Sequence, residues 1–169
     1  MGHPVLRAKA RPLDRADLKN PLVQKLIDDM IDTMVEYRGV GLAAPQVHEG
    51  LRLFVAVLDE GDDREREREP VVVINPEISR VGSETVEGWE GCLSIPDVRG
   101  RVPRAREIKV RALDRRGERL ELDARDFPAR VIQHETDHLD GVLFFDRMKS
   151  FESLTFLDEY ARFWARDDE

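Results

Sequence analysis

Apolar residues recur at helical spacing through Leu22, Val23, Leu26, Ile27, Met30, Ile31, Met34 and Val35. A period near 3.6 residues predicts an amphipathic helix packed on a core. Asn20 and Pro21 supply its N-cap and first helical residue, and Gly39 a left-handed stop. The pattern then changes. Residues 51–58, 71–74, 107–113 and 119–122 are short and rich in Val, Ile or Leu, as strands are. Asp114-Arg115-Arg116-Gly117 is the expected hairpin turn between the last two. A second helix is expected over residues 127–139, capped by Asp126, with Pro128 in its first turn and Gly141 beyond its end. Phe151, Leu154, Leu157, Ala161 and Trp164 predict a last amphipathic helix. Strands grouped in the middle with helices around them indicate an α+β class and not a doubly wound one.

The chain has 169 residues, 41% of them hydrophobic, which suits one domain spanning 1–169 around one core. Its 27 basic and 35 acidic residues give a formal charge of −8, which argues against a general polyanion binder. Residues 61–70 alternate acids and arginines with no apolar side and read as a solvated loop. The basic stretch from Arg99 to Arg106, diluted by Asp97 and Glu107, reads the same way, so no specific nucleic-acid partner is expected. The single cysteine, Cys92, favours a reducing compartment. No signal peptide or membrane span is visible. Leu6 stands where a myristoylation signal wants Ser or Thr. The cytoplasm is the expected location, with an organelle matrix as the alternative.

His134-Glu135-Thr136-Asp137-His138 carries the clearest chemistry. Two histidines four apart share a helix face and can grip one ion, and Glu135 projects where it can take a proton from water. The plain alternative is two histidines on a polar surface. A catalytic ion usually has three protein ligands and an open position, so a third is needed. Gly141 fits the longer metalloprotease pattern, but Phe144 replaces its last histidine. Glu152 or Glu159 could serve, as in zinc peptidases that use a later glutamate. Cys92, in Glu90-Gly91-Cys92-Leu93-Ser94, is the other choice, although a lone cysteine is often only a small hydrophobe. One thiolate and two neutral imidazoles around a divalent ion leave a charge of about +1, which hydroxide would neutralise. Gly39-Val40-Gly41-Leu42-Ala43-Ala44-Pro45-Gln46 is a small-residue segment that lets a peptide approach the backbone, and Gln46 can donate to an oxyanion. No Gly-Lys-Ser/Thr follows, so it is not a P-loop. A peptide-binding module with a structural metal is a further reading. Glu135 weakens it, because structural sites are closed by four ligands and need no base.

Together, Gly39 to Gln46, Glu90 to Ser94, and Gln133 to His138 resemble the peptide deformylase family. That family carries a Gly-apolar-Gly-apolar-Ala-Ala-x-Gln segment, a Glu-Gly-Cys-apolar-Ser segment and a Gln-His-Glu-x-Asp-His segment, in this order. The likeness runs from His3 to Phe144. It implies antiparallel β-sheets packed around a central helix bearing the two histidines, plus N-terminal and C-terminal helices. It implies removal of the formyl group from nascent formyl-methionyl polypeptides, releasing formate. Cys92, His134 and His138 would hold the ion, and Glu135 would move the proton. Gln46 and the Leu93 backbone N–H would steady the oxyanion. Gly41 and Gly91 would accommodate the substrate backbone. Val40, Phe127, Val131 and the His134 ring would line the methionine pocket, with Arg99 contacting the peptide further on. The family implies ferrous iron in the cell, with zinc, nickel or cobalt as substitutes, and hence oxygen sensitivity at the iron and Cys92.

The chain departs from many relatives in three ways. It has little sequence before His3, where an edge strand is usual. Asp126 replaces a glycine. Arg130 sits near the expected pocket and is expected to face solvent or pair with an acid. Some relatives dock on the ribosome through a basic C-terminal helix. Here the end reads Ala165-Arg166-Asp167-Asp168-Glu169, whose acids suit rRNA phosphates poorly, so tail-mediated docking is not expected.

Overall fold

The computed structural model describes residues 1–58 and 69–165. The acidic-arginine run therefore lies largely outside the described residues, as do the last four residues of the tail. The chain opens with a 3-10 helix, Pro4–Arg7, followed by α1, Arg15–Lys19, and α2, Pro21–Glu36. Asn20 caps α2 as expected, its side-chain oxygen accepting from Leu22 N–H at 2.9 Å. The end of α2 differs from expectation. Arg38, not Gly39, takes the left-handed conformation, at φ 53°. Gly39 N–H then reaches back to Met34 O at 2.8 Å, completing a Schellman turn one residue earlier. Ile27, Met30 and Met34 form the buried stripe. Leu22 and Val35 face solvent, each about a third of a turn off that stripe.

Among the described residues, eight strands form two antiparallel sheets. The larger has the order β1-β2-β3-β6-β7, built from Gly41–Ala43, Leu53–Ala56, Val71–Arg80, Glu107–Leu113 and Arg119–Arg125. The smaller joins β4, Thr85–Cys92, β5, Ile95–Ala105, and β8, Thr155–Phe156. The β6–β7 turn falls where expected, with Gly117 at φ 82°. Strand β2 is buried along its whole length because both faces are covered. Leu53 and Val55 pack with the α2 residues Ile27, Met30 and Met34. Phe54 and Ala56 point the other way, toward Ala129, Ile132 and Leu139. Those three belong to α3, Asp126–Leu139, which packs on strands of both sheets.

Three expectations are corrected. Asp126 does not cap α3. It occupies a left-handed turn at φ 52°, and its carboxylate pairs with Arg106 at 2.9 Å. A glycine would adopt that turn without steric cost. Second, Arg99 to Arg106 is not a solvated loop, since most of it lies in β5 and Arg104 is only 5% exposed. Third, the single C-terminal helix is divided into a 3-10 turn, Phe151–Ser153, then β8, then α4, Leu157–Phe163.

Candidate metal centre and cleft

The turn after β4 and the middle of α3 bring together what the sequence separates. Cys92 ends β4, and a two-residue turn, Leu93-Ser94, leads into β5. Helix α3 presents His134 and His138 on one face, their rings 5.0 Å apart. Cys92 Sγ lies 3.3 Å from His138 Nε2, and one ligand atom from each of Cys92, His134 and His138 lies within 4.8 Å of the others. The late glutamates stand elsewhere. Glu152 faces Ser150 Oγ at 3.5 Å, and Glu159 pairs with Arg162. A thiol and two imidazoles converging in this way suit a borderline-soft divalent ion. Gly141, at φ 73°, closes α3 with Val142 N–H on Asp137 O, which fixes the turn that bears His138.

A buried ion-pair network holds this face in place. Glu90 accepts from His134 Nδ1 at 2.9 Å, leaving Nε2 toward Cys92 and His138. Arg104 grips both Glu90 oxygens, at 2.8 and 2.9 Å, and reaches Asp137, which Arg147 also holds. Arg130 does not face open solvent. It pairs with Glu90 at 2.8 Å and donates to the carbonyls of Val86, Gly88 and Val102. Gln133 pins α3 to the end of β5, bonding both backbone groups of Ala105.

The charges are strongly displaced from ordinary values. Burial pushes the Glu90 carboxyl up, but hydrogen bonds from Arg104 and His134 outweigh it and bring it to about 2. Burial pulls His134 down, yet hydrogen bonds with Cys92 and Glu90 and the charge of Glu135 raise it to about 10. Burial, with His134⁺ and Arg104 nearby, lowers His138 to about 3. Glu135 is 4% exposed, and burial lifts it to about 7. Among the described residues, its Oε2 and the Nδ1 of His138 have no hydrogen-bond partner.

Val40, Gly41, Gln46, Gly91, Cys92, Leu93, Arg99, Phe127, Val131, His134 and Glu135 all border one open cleft of about 730 Å³. His138 lies deeper, 1% exposed. Gly41 is pressed against the Glu135 carboxylate, where any Cβ would collide with it. Gln46 Nε2 points to Cys92 Sγ at 3.6 Å and Ser94 Oγ at 3.3 Å, while its Oε1 accepts from Ala43 N–H. Glu90, Arg104, Asp137 and Arg147 were not singled out as site residues from the sequence. Glu90 and Asp137 carried a signal, as fixed positions of the Glu-Gly-Cys and Gln-His-Glu-x-Asp-His segments, whereas Arg104 and Arg147 carried none.

An α+β fold that sets a thiol and two imidazoles beside a buried, unpaired carboxyl group at the wall of a peptide-sized cleft defines a metal-dependent hydrolase. The sequence profile of the polypeptide deformylase family matches residues 1–153. Peptide deformylase 2 of a Nostoc species is 45% identical over 95% of this chain and 89% of its own. The crystal structure of a class I type b peptide deformylase from Acinetobacter baumannii, bound to Met-Ala-Ser, has a TM-score of 0.80 at 42% identity, covering 88% of this chain and 94% of that one. The peptide deformylase of Thermotoga maritima gives 0.78 at 44%, with 88% and 94% covered. The chain belongs to the polypeptide deformylase family, whose members remove the formyl group from the N terminus of nascent polypeptides.

Proposed function

We propose that this chain, as one catalytic domain over 1–169, deformylates nascent formyl-methionyl polypeptides with an ion held by Cys92, His134 and His138. The convergence of those three donor groups carries the reading. The ion, when bound, supplies Lewis acidity toward water and the formyl carbonyl. Ferrous iron is the proposed cellular ion, with zinc, nickel or cobalt as replacements, since the donor set accepts all four.

Glu135 takes the proton of the attacking water and delivers it to the departing amine. Its buried carboxyl, 4% exposed and beside the two histidines, can both accept and donate a proton there. Gln46 Nε2 and Leu93 N–H stabilise the oxyanion as the carbonyl becomes tetrahedral. Gly41, which leaves room for the Glu135 carboxylate, and Gly91 border the cleft in which the substrate backbone lies. Phe127 and Val131, with Val40 opposite, take the methionine side chain, and Arg99 stands further along. The Acinetobacter relative binds Met-Ala-Ser, the kind of peptide left when formate departs. A bacterial-type cytoplasm is the proposed place of action, and no described helix is long and apolar enough to cross a membrane. Proximity to the ribosome follows from the substrate, without docking through the acidic tail.

The test is formate release from a formyl-methionyl peptide by anaerobically prepared protein, with metal content measured beside it. Cys92→Ala should lose both ion and activity. Full metal retention by that variant would refute the ligand assignment.

A further inference from the structure

The match to the family profile ends at residue 153, yet the cleft wall does not. Leu157, the first residue of α4, borders the same cleft as Cys92 and Glu135. It is brought there by β8, which pairs with β5 through Val98↔Phe156 and Arg99↔Thr155. Arg99 in turn faces Gly91 on β4. Gly91, Arg99 and Thr155 thus form one row across three strands, and Gly91 adjoins Cys92.

Side chains fasten this segment down. The guanidinium of Arg99 lies 4.8 Å from the Tyr160 ring centre. Trp89 meets Tyr160 edge-on at 5.0 Å and Trp164 at 5.9 Å. Together these ring contacts seat the short helix against β4 and β5.

From this geometry we infer that β8 and α4 form a selectivity wall that reads the residues following formyl-methionine, with Leu157 as the contact residue. The inference rests on the deformylase reading above and extends it beyond the methionine. Two strand spacings separate the Gly91 row position from β8, about 10 Å, and an extended peptide covers that in about three residues. The wall therefore meets the third or fourth residue of the substrate. Its contact side chain is aliphatic and 41% exposed, so apolar substrate residues gain by covering it. Covering about half a leucine contributes about 1 kcal/mol, or about fivefold in affinity.

The experiment compares kcat/KM for the metal-loaded, full-length protein on formyl-Met-Ala and on formyl-Met-Ala-Leu-Leu. Leu157→Ser should lower the tetrapeptide-to-dipeptide ratio about fivefold, through KM. Phe163→Ser, an exposed position outside the cleft, should leave the ratio unchanged. Leu157→Glu should shift preference at least threefold toward formyl-Met-Ala-Lys-Lys over formyl-Met-Ala-Glu-Glu, a change that general loss of structure does not produce. An unchanged ratio in Leu157→Ser with no charge preference in Leu157→Glu overturns the inference, as does an equal loss on both peptide lengths. Failure of the wild-type protein to release formate from any of these peptides instead overturns the deformylase reading, and this inference with it.

Discussion

Replacing Glu135 with glutamine separates its chemical role from its cost to the fold. In the metal-free protein burial raises this carboxyl from 4.5 to about 7. The unfolded chain therefore releases the proton first as pH rises. Below about pH 4.5 both states are protonated, and the group costs nothing. Between 4.5 and 7 the folded state binds more protons than the unfolded one, so stability falls with pH. Above 7 the loss levels off at about 3 kcal/mol, from about 2.5 pKa units at 1.36 kcal/mol each. Glutamine cannot ionise and removes this loss. Its amide adds a buried donor beside an oxygen that has no partner, a pH-independent penalty of about 1 kcal/mol. Glu135→Gln should thus be about 1 kcal/mol less stable than wild type at pH 4 and about 2 kcal/mol more stable at pH 8. Urea unfolding of both metal-free proteins across that range measures it. A stability difference that stays flat within about 0.5 kcal/mol refutes the buried-acid argument. The same variant, metal-loaded, should keep its ion and lose formate release.

Other outcomes follow from the same site. Arg104→Met leaves Glu90 and Asp137 with one fewer buried cation each. Because Arg130 and Arg147 still pair with them, the loss should sit at the low end for a broken buried pair, about 3 kcal/mol, or about 10 °C in Tm; a calorimetric shift under 3 °C would contradict it. Gln46→Glu keeps the acceptor for Ala43 N–H but removes the donor aimed at the cleft, so kcat should fall about 100-fold with Tm little changed; steady-state kinetics on a formyl-methionyl peptide decide this. Glu90→Gln removes the carboxylate behind His134, and competition with a chelator should report metal affinity lowered about 10-fold to 100-fold.

What could be read from the chain depended on the range over which each signal acts. The Asn20 cap, the Gly117 turn and the Gly141 stop are local, because their backbone geometry is set by neighbours a few residues away. His134 and His138 share that advantage, since helical periodicity alone places them on one face. The end of α2 escaped because the Schellman turn needs one left-handed residue, and Arg38 supplies it where glycine was expected. Strands β4 and β5 escaped for a different reason. Their sequence alternates poorly because their burial does not alternate strictly, with exposed and half-buried positions running together along both strands.

Arg104 shows the limit most clearly. Among Arg99, Arg101 and Arg106 it looks like one more solvated cation, and no local pattern distinguishes it. Its meaning depends on Glu90, 14 residues earlier, and Asp137, 33 later. Such a network is a poor device for stability, because apolar side chains of similar volume serve as well or better. Its effect is on geometry. Glu90, fixed by Arg104 and Arg130, holds His134 through Nδ1, and Asp137, fixed by Arg104 and Arg147, adjoins His138 in the chain. One guanidinium thereby bears on the orientation of the His134 imidazole and on the helical turn that carries His138. A buried charge placed for orientation leaves its mark in space and not in periodicity, so Arg104 becomes readable only once the two histidines have been recognised as a site.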